Sequence, residues 1–289
     1  ADLDIRYPQC TVPVFFADGR EPADLERAVI RPLAPDRIAV VSDANVFARH
    51  GYALEALLTR AGHAVATVVL QPGEGTKSME VAAEVAGSFC ENGLSRRSLV
   101  LALGGGVVGD LAGFVAGIYM RGVRYVQLPT SLLAQVDSAV GGKVGVNLPG
   151  AKNMLGLFCQ PAAVWVDVRY LDTLPEAEYR GAFGEVLKYA LTLDAILYER
   201  LAALPAVAAV RGEPRQANDV KLAVESGMEV LIREQGAAAA ERADAAWAND
   251  PAGRDLLAAH PDLSRASAEY GAQVALAIWI SYWHRELFD

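Results

Sequence analysis

A short β-branched run, a turn and then a stretch of helical period recur along the first half of this 289-residue chain. That alternation constrains the fold more than any other feature, because strands separated by helices pair in parallel and need helices on both faces of the sheet. Strands are expected at Ile38–Ser42, Val65–Leu70, Leu99–Leu103, Tyr125–Leu128 and Val164–Asp167, with helices between them. Thr11–Phe16 is expected to add an edge strand, followed by a turn at Ala17-Asp18-Gly19. Beyond Asp167 the β-branched runs stop, alanine becomes frequent and helical spacing takes over in Glu176–Leu201, Asn218–Arg233 and Ala266–Leu287. The expectation is therefore an α/β domain over residues 1–168 and an all-helical domain over 169–289, with Pro175 in the first turn of the next helix. The alanine-rich tract Gly236–Ala248 receives no role.

Composition narrows the function classes. With 53% hydrophobic and 21% charged residues, the chain has ample material for packed cores. Its formal charge of −9 excludes nucleic acid as a main partner, while leaving room for a local basic pocket around a small phosphate. Cys10, Cys90 and Cys159 are odd in number, widely spaced and free of any CxxC pattern, which fits a reducing cytoplasm. The first residues carry no charged-then-apolar leader. Ser98–Met120 is apolar enough to imitate a membrane span, but Asp110 and the Gly104-Gly105-Gly106 run point to a buried strand, a turn and a helix instead, so no membrane is implied.

Gly104, Gly106 and Gly109 have GxGxxG spacing between a strand and a helix, the context in which glycines let a pyrophosphate approach a helix N-terminus. This spacing suits a dinucleotide, as it also suits close packing of strand on helix. The turn comes late, and no acidic residue follows at the standard distance, so Asp43 and Glu74 on earlier loops are the better ribose candidates. Next comes a polar-faced helix and a glycine pair ahead of Lys143; Lys143 and Lys152 then share a glycine-rich loop, Gly142–Asn153, able to bring cations and N–H groups to a phosphate.

These residues, together with four further runs, resemble the 3-dehydroquinate synthase family of sugar-phosphate cyclases. The runs are Gly73-Glu74-Gly75-Thr76-Lys77-Ser78, Tyr119-Met120-Arg121-Gly122, Gly150-Ala151-Lys152-Asn153-Met154-Leu155-Gly156 and Gly184-Glu185-Val186-Leu187-Lys188-Tyr189. The resemblance implies a Rossmann-like NAD-binding domain and a homodimer that uses NAD and a divalent metal, zinc or cobalt. Its substrate would be a small phosphorylated sugar acid, a seven-carbon keto-sugar phosphate, converted by phosphate elimination and carbocycle formation in the shikimate pathway or toward another cyclitol. Cofactor contacts would come from Asp43, Asn45, Glu74, Lys77, Gly105, Gly106, Val107, Val108, Gly109, Asp110, Thr130 and Ser131, and from Lys143, Lys152, Tyr170, Leu171, Asp172 and Thr173. Asp137, Lys143 and Lys188 would be catalytic. Arg121, Lys143, Lys152, Asn153 and Lys188 would hold substrate, with Arg121 reaching the phosphate of the neighbouring subunit. Glu185 would be a metal ligand.

The family completes its metal site with two histidines, and here Arg254 and Tyr270 stand at the corresponding positions. An arginine cannot ligate a cation. Gly227 and Gln235 likewise replace a lysine and an acidic residue of the family pattern. His260 and His284 are the available substitutes beside Glu185. Three activities therefore remain: a cyclase, an NAD-binding homologue that has lost the metal site and serves as a partner or regulator, and an NAD-dependent dehydrogenase.

Overall fold

The computed structural model describes residues 1–7, 10–17 and 20–192, apart from the side chains at 180, 183, 187 and 190–192. Asp18 and Gly19 of the expected turn lie outside the described residues, as do the stretches Asn218–Arg233 and Ala266–Leu287 and the tract Gly236–Ala248. The described residues fall into two units, Ala1–Pro175 and a second that begins at Glu176.

In the first unit a seven-stranded sheet runs in the order β1-β2-β9-β6-β5-β3-β4. The strands are β1 (Leu3–Arg6), β2 (Thr11–Phe16), β3 (Ile38–Asp43), β4 (Val65–Leu70), β5 (Leu99–Gly104), β6 (Arg124–Pro129) and β9 (Ala163–Val166). All neighbours are parallel except β1 and β2. Central β5 shows why the strands read as continuous apolar runs. Leu99, Leu101 and Leu103 point to one face, packing with Leu25, Val29, Leu54 and Leu58 of helical residues 23–33 and 44–60. Val100 and Ala102 point to the other, against helices Met79–Glu91 and Gly106–Ile118. Both faces are covered, so neither strand face is polar.

Two expectations need correction. Thr11–Phe16 is a strand but not the edge. β1 pairs outside it, with Ile5 buried and Asp4 and Arg6 turned outward, so the acidic-apolar alternation at the start of the chain was a strand signal. Charges on such an edge discourage pairing with another chain. The glycine-rich loop Gly142–Asn153 is instead most of an antiparallel hairpin, β7 (Lys143–Leu148) and β8 (Ala151–Phe158). Its glycines mark close backbone crossing: a Cβ on Gly145 would stand 2.4 Å from the Leu155 carbonyl oxygen. Val144 and Val146 join the core on the Gly106 helix. The segment after Pro129 is helical over residues 132–138, with Leu132, Ala134, Gln135 and Val136 buried and Ser131, Asp137 and Ser138 partly exposed.

The Gly106 helix sets the depth of the whole arrangement. A Cβ on Gly109 would stand 2.8 Å from Gln127 Oε1 on β6, and one on Gly113 would stand 2.6 Å from Val144 Cγ1 on the hairpin. At its far end Met120, Arg121 and Gly122 all have positive φ, 49°, 67° and 118°, and Arg96 Nε donates to the Met120 carbonyl at 3.1 Å. In the second unit, helix Glu176–Thr192 begins directly after Pro175. No helix among the described residues is long and apolar enough to cross a membrane.

Gly113→Ala should destabilise the protein by about 1–3 kcal/mol, the usual cost of overpacking. Gly87→Ala, in the Met79 helix with nothing within 4 Å of the added carbon, should stabilise it by about 0.5–1 kcal/mol. Denaturant unfolding of the two variants checks the contrast, and equal effects would contradict the close packing at Gly113.

Candidate functional site

The chain passes from β3 outward to β4 and then returns to place β5 on the other side of β3. The crevice between the carboxyl ends of β3 and β5 is thus the topological switch point, where open α/β sheets bind ligands. The β3 end carries Asp43 and Asn45, and the β5 end carries Gly104-Gly105-Gly106. Glu74 follows β4, Thr130 and Ser131 follow β6, and Tyr170–Thr173 follow β9. Five separate segments of sequence therefore deliver candidates to one edge of the sheet.

At the β5 end Gly105 is the N-cap of the Gly106 helix and has no side chain to satisfy the first N–H groups. Those donors face outward at the positive end of the helix dipole. Space for larger residues is tight: a Cβ on Gly105 would lie 3.3 Å from Ser131 Oγ, and one on Gly106 would lie 3.0 Å from Ser138 Oγ. Thr130 N–H donates to the Gly104 carbonyl at 2.9 Å and ties the β6 exit to the turn. Val108 is buried and Val107 is half-buried, and the Gly109 N–H already donates to the Gly105 carbonyl at 3.0 Å.

At the β3 end Asp43 caps the following helix, its Oδ1 accepting the N–H of Asn45 at 2.9 Å and of Val46 at 3.1 Å. The cap fixes the loop at the lip of the crevice. Across the sheet, Thr173 Oγ1 donates to the Tyr170 carbonyl at 3.0 Å and lies 2.7 Å from His50 Nε2. Burial, helped by the charge of Arg49, lowers the His50 pKa. The ring also packs on Tyr170 at 4.7 Å. Leu171 is fully buried and Asp172 is exposed.

A polar network gathers the remaining candidates. Lys77 is buried, and its ammonium donates to the Asp110 carboxylate and, at 2.5 Å, to Asn153 Oδ1. Burial raises the Asp110 pKa; Lys77 opposes this, and the charges of Asp137 and Glu74 reinforce it. Glu74 Oε1 accepts from Asn147 Nδ2 at 2.8 Å and lies 3.8 Å from the exposed Lys152 ammonium. Lys143 is exposed at the start of β7. The preceding Gly141 is held on both sides, its N–H donating to Tyr7 Oη and its carbonyl accepting from Gln160 Nε2, each at 3.1 Å.

Arg121 is not brought to this edge. It follows the other end of a 13-residue helix, about 20 Å from the glycine turn at the usual rise per residue. Glu185 and Lys188 lie in the second unit, where they form an i,i+3 ion pair with Lys188 also near the Tyr189 ring. Among the described residues no three His, Cys, Asp or Glu side chains converge as a metal centre would require. Arg254, His260, Tyr270 and His284, with Gly227 and Gln235, lie outside the described residues. Sequence reasoning missed His50, Asn147, Tyr7 and Gln160. Tyr7 carries no motif at all, while Asn147 sits between two motifs whose contact only the hairpin creates.

The chain is similar to known proteins in sequence and fold. Residues 67–181 match the family model for the N-terminal part of 3-dehydroquinate synthase. The 3-dehydroquinate synthase of Bordetella pertussis is 44% identical over 193 residues, covering 67% of this chain and 53% of that protein. That of Cereibacter sphaeroides is 41% identical over 217 residues, covering 75% and 57%. The chain thus spans just over half the length of these relatives. Among solved structures, ValA, a 2-epi-5-epi-valiolone synthase from Streptomyces hygroscopicus with NAD+ and Zn2+ bound, superposes with a TM-score of 0.67 at 29% identity, covering 78% of this chain and 62% of that one. A 2-deoxy-scyllo-inosose synthase with carbaglucose-6-phosphate, NAD+ and Co2+ shares the fold, with a TM-score of 0.68 at 23% identity, covering 79% and 62%. With the glycine turn, the Lys77 network and the hairpin all inside the matched stretch, this chain belongs to the 3-dehydroquinate synthase family.

Proposed function

We propose that the protein is an NAD-dependent sugar-phosphate cyclase of the 3-dehydroquinate synthase type, a carbon–oxygen lyase that eliminates phosphate from a seven-carbon keto-sugar phosphate and closes the carbocycle. The observation that carries this reading is the meeting of the Gly104–Gly106 turn with the Lys77–Asp110–Asn153 network at the switch-point edge. The residues fit NAD: the helix N-terminus is free of a side-chain cap, and the space beside Gly105 and Gly106 would be filled by any Cβ. NAD bound there supplies a reversible hydride acceptor, so it is regenerated in each turnover.

The protein's own groups have distinct roles in this scheme. Backbone N–H groups of Gly105 and Gly106 hold the pyrophosphate at the helix dipole. Asp43, Asn45, Glu74 and Asp110 offer acceptors to ribose hydroxyls, and Thr130, Ser131 and Tyr170–Thr173 flank the cofactor. Lys143, Lys152 and Asn153 neutralise and orient the substrate phosphate, which leaves more readily as its charge is stabilised. Asp137 holds or moves a proton near Asp110. Lys188 takes the substrate carboxylate, and Arg121 serves the phosphate of a second copy in a cytoplasmic homodimer.

A divalent metal has Glu185 as its one nominated ligand among the described residues, and Lys188 already pairs with that carboxylate. These residues do not by themselves compose a metal centre, and no step is derived through one. Arg254 and Tyr270, standing where the family pattern has histidines, favour a second reading in which NAD and phosphate binding persist without cyclase activity.

Cofactor bookkeeping separates the possibilities. A cyclase releases inorganic phosphate from a seven-carbon sugar phosphate with no net NADH; a dehydrogenase accumulates NADH; a binding homologue does neither while still binding NAD. In the first case Lys143→Ala should slow phosphate release by roughly a hundredfold. The pH dependence of NAD binding gives a further check. Because burial raises the Asp110 pKa, protonation should turn one of its acceptor oxygens into a donor at a higher pH than for an exposed aspartate. NAD affinity should therefore fall on acidification through that window, and Asp110→Asn should abolish this limb of the profile.

A further inference from the structure

No motif points to Asn147, yet it hydrogen-bonds to three residues that the motifs contain. The β7–β8 ladder runs from Lys143↔Phe158 to Val146↔Leu155, then slips and resumes at Leu148↔Ala151, leaving Asn147 at a bulge. Bulges beside functional sites re-aim a residue out of its own ladder. Here the Asn147 N–H donates to the Lys77 carbonyl at 2.8 Å, and the residue forms a parallel bridge with Ser78. Its side chain then joins both neighbours: Nδ2 donates to Glu74 Oε1 and Oδ1 accepts the Asn153 N–H, each at 2.8 Å. The amide orientation is fixed by its partners, since a carboxylate only accepts and a backbone N–H only donates. Asn153 itself is left-handed, with φ 57°, and presents its Oδ1 to Lys77.

We propose that Asn147 is the positioning residue that registers the hairpin tip on the Glu74–Lys77 turn, holding Glu74 and Asn153 in place for cofactor and phosphate. This rests on the roles proposed above for those two residues. Only a short side chain with both a donor and an acceptor makes the two bonds at once; aspartate lacks the donor and alanine lacks both.

The test is direct titration of the 289-residue protein with NAD+, alongside thermal unfolding and hydrogen exchange. Asn147→Ala and the isosteric Asn147→Asp should each weaken NAD+ binding roughly tenfold, the usual effect of one lost charge-assisted hydrogen bond. Exchange at Asn153 should rise in Asn147→Ala and stay unchanged in Asn147→Asp, which keeps the acceptor. The double variant Glu74→Gln/Asn147→Asp exchanges donor and acceptor, and should bind NAD+ about threefold more tightly than Asn147→Asp alone. A purely structural role would lower the unfolding temperature without this rescue. Affinity within about twofold of the parent in both Asn147 variants, with Glu74→Ala weakened roughly tenfold, would overturn the positioning role alone. Unchanged affinity in Glu74→Ala as well would overturn the underlying cofactor reading and the inference with it.

Discussion

A lysine ammonium buried in a protein costs several kcal/mol unless acceptors are arranged around it. Lys77 meets that requirement with two partners from different places, the Asp110 carboxylate of the Gly106 helix and the Asn153 side chain of the hairpin. The segment after β4, the helix that presents the glycine turn and the hairpin that carries Lys143 and Lys152 are therefore held by one charge. Removing either partner would leave that charge under-compensated, so the three pieces cannot drift independently. The charge also tempers the acidity around it. Burial keeps Asp110 a weaker acid than usual even beside Lys77, because Asp137 and Glu74 add negative potential to the same space.

The sheet was largely legible because its strands are buried on both faces and announce themselves as apolar runs. Ile38–Ser42, Val65–Leu70 and Leu99–Leu103 each lie within or coincide with an observed strand. The glycine turn was legible for a related reason: its spacing encodes backbone approach, and the same glycines that clear the crevice at Gly105 and Gly106 also bring the helix onto β6 at Gly109. Glycine was equally the source of the main error. Gly142, Gly145 and Gly150 suggest a loop when read locally, yet Gly145 faces Gly156 in a tight antiparallel pair and the intervening valines pack inward. Nothing local distinguishes a glycine that frees a chain from one that lets two chains touch.

The site followed the same division. Residues that act through backbone geometry or stand within recognisable runs were nominated, including Glu74, Lys77, Asp110 and Asn153. Residues that work by bridging two distant segments were not. His50 meets Thr173 across 123 positions of sequence, and Tyr7 meets Gly141 across 134. Such pairings are products of strand order, which places the helix after β3 and the turn after β9 at one edge and lays the N-terminal strands beside β9. They become visible only when the sheet is assembled.

The two ends of the Gly106 helix point in opposite directions. One opens the glycine turn; the other leads through Met120 to Arg121, two non-glycine residues in a left-handed conformation held by Arg96. Strain of this kind, on the order of 1 kcal/mol or more per residue, persists because neighbouring contacts over-determine it. The helix is too long for one chain to bring both ends to a single ligand. A centre drawing on both ends is one that no isolated copy can close, so at high dilution its turnover would fall with the square of the protein concentration, whereas a self-sufficient centre would fall only in proportion.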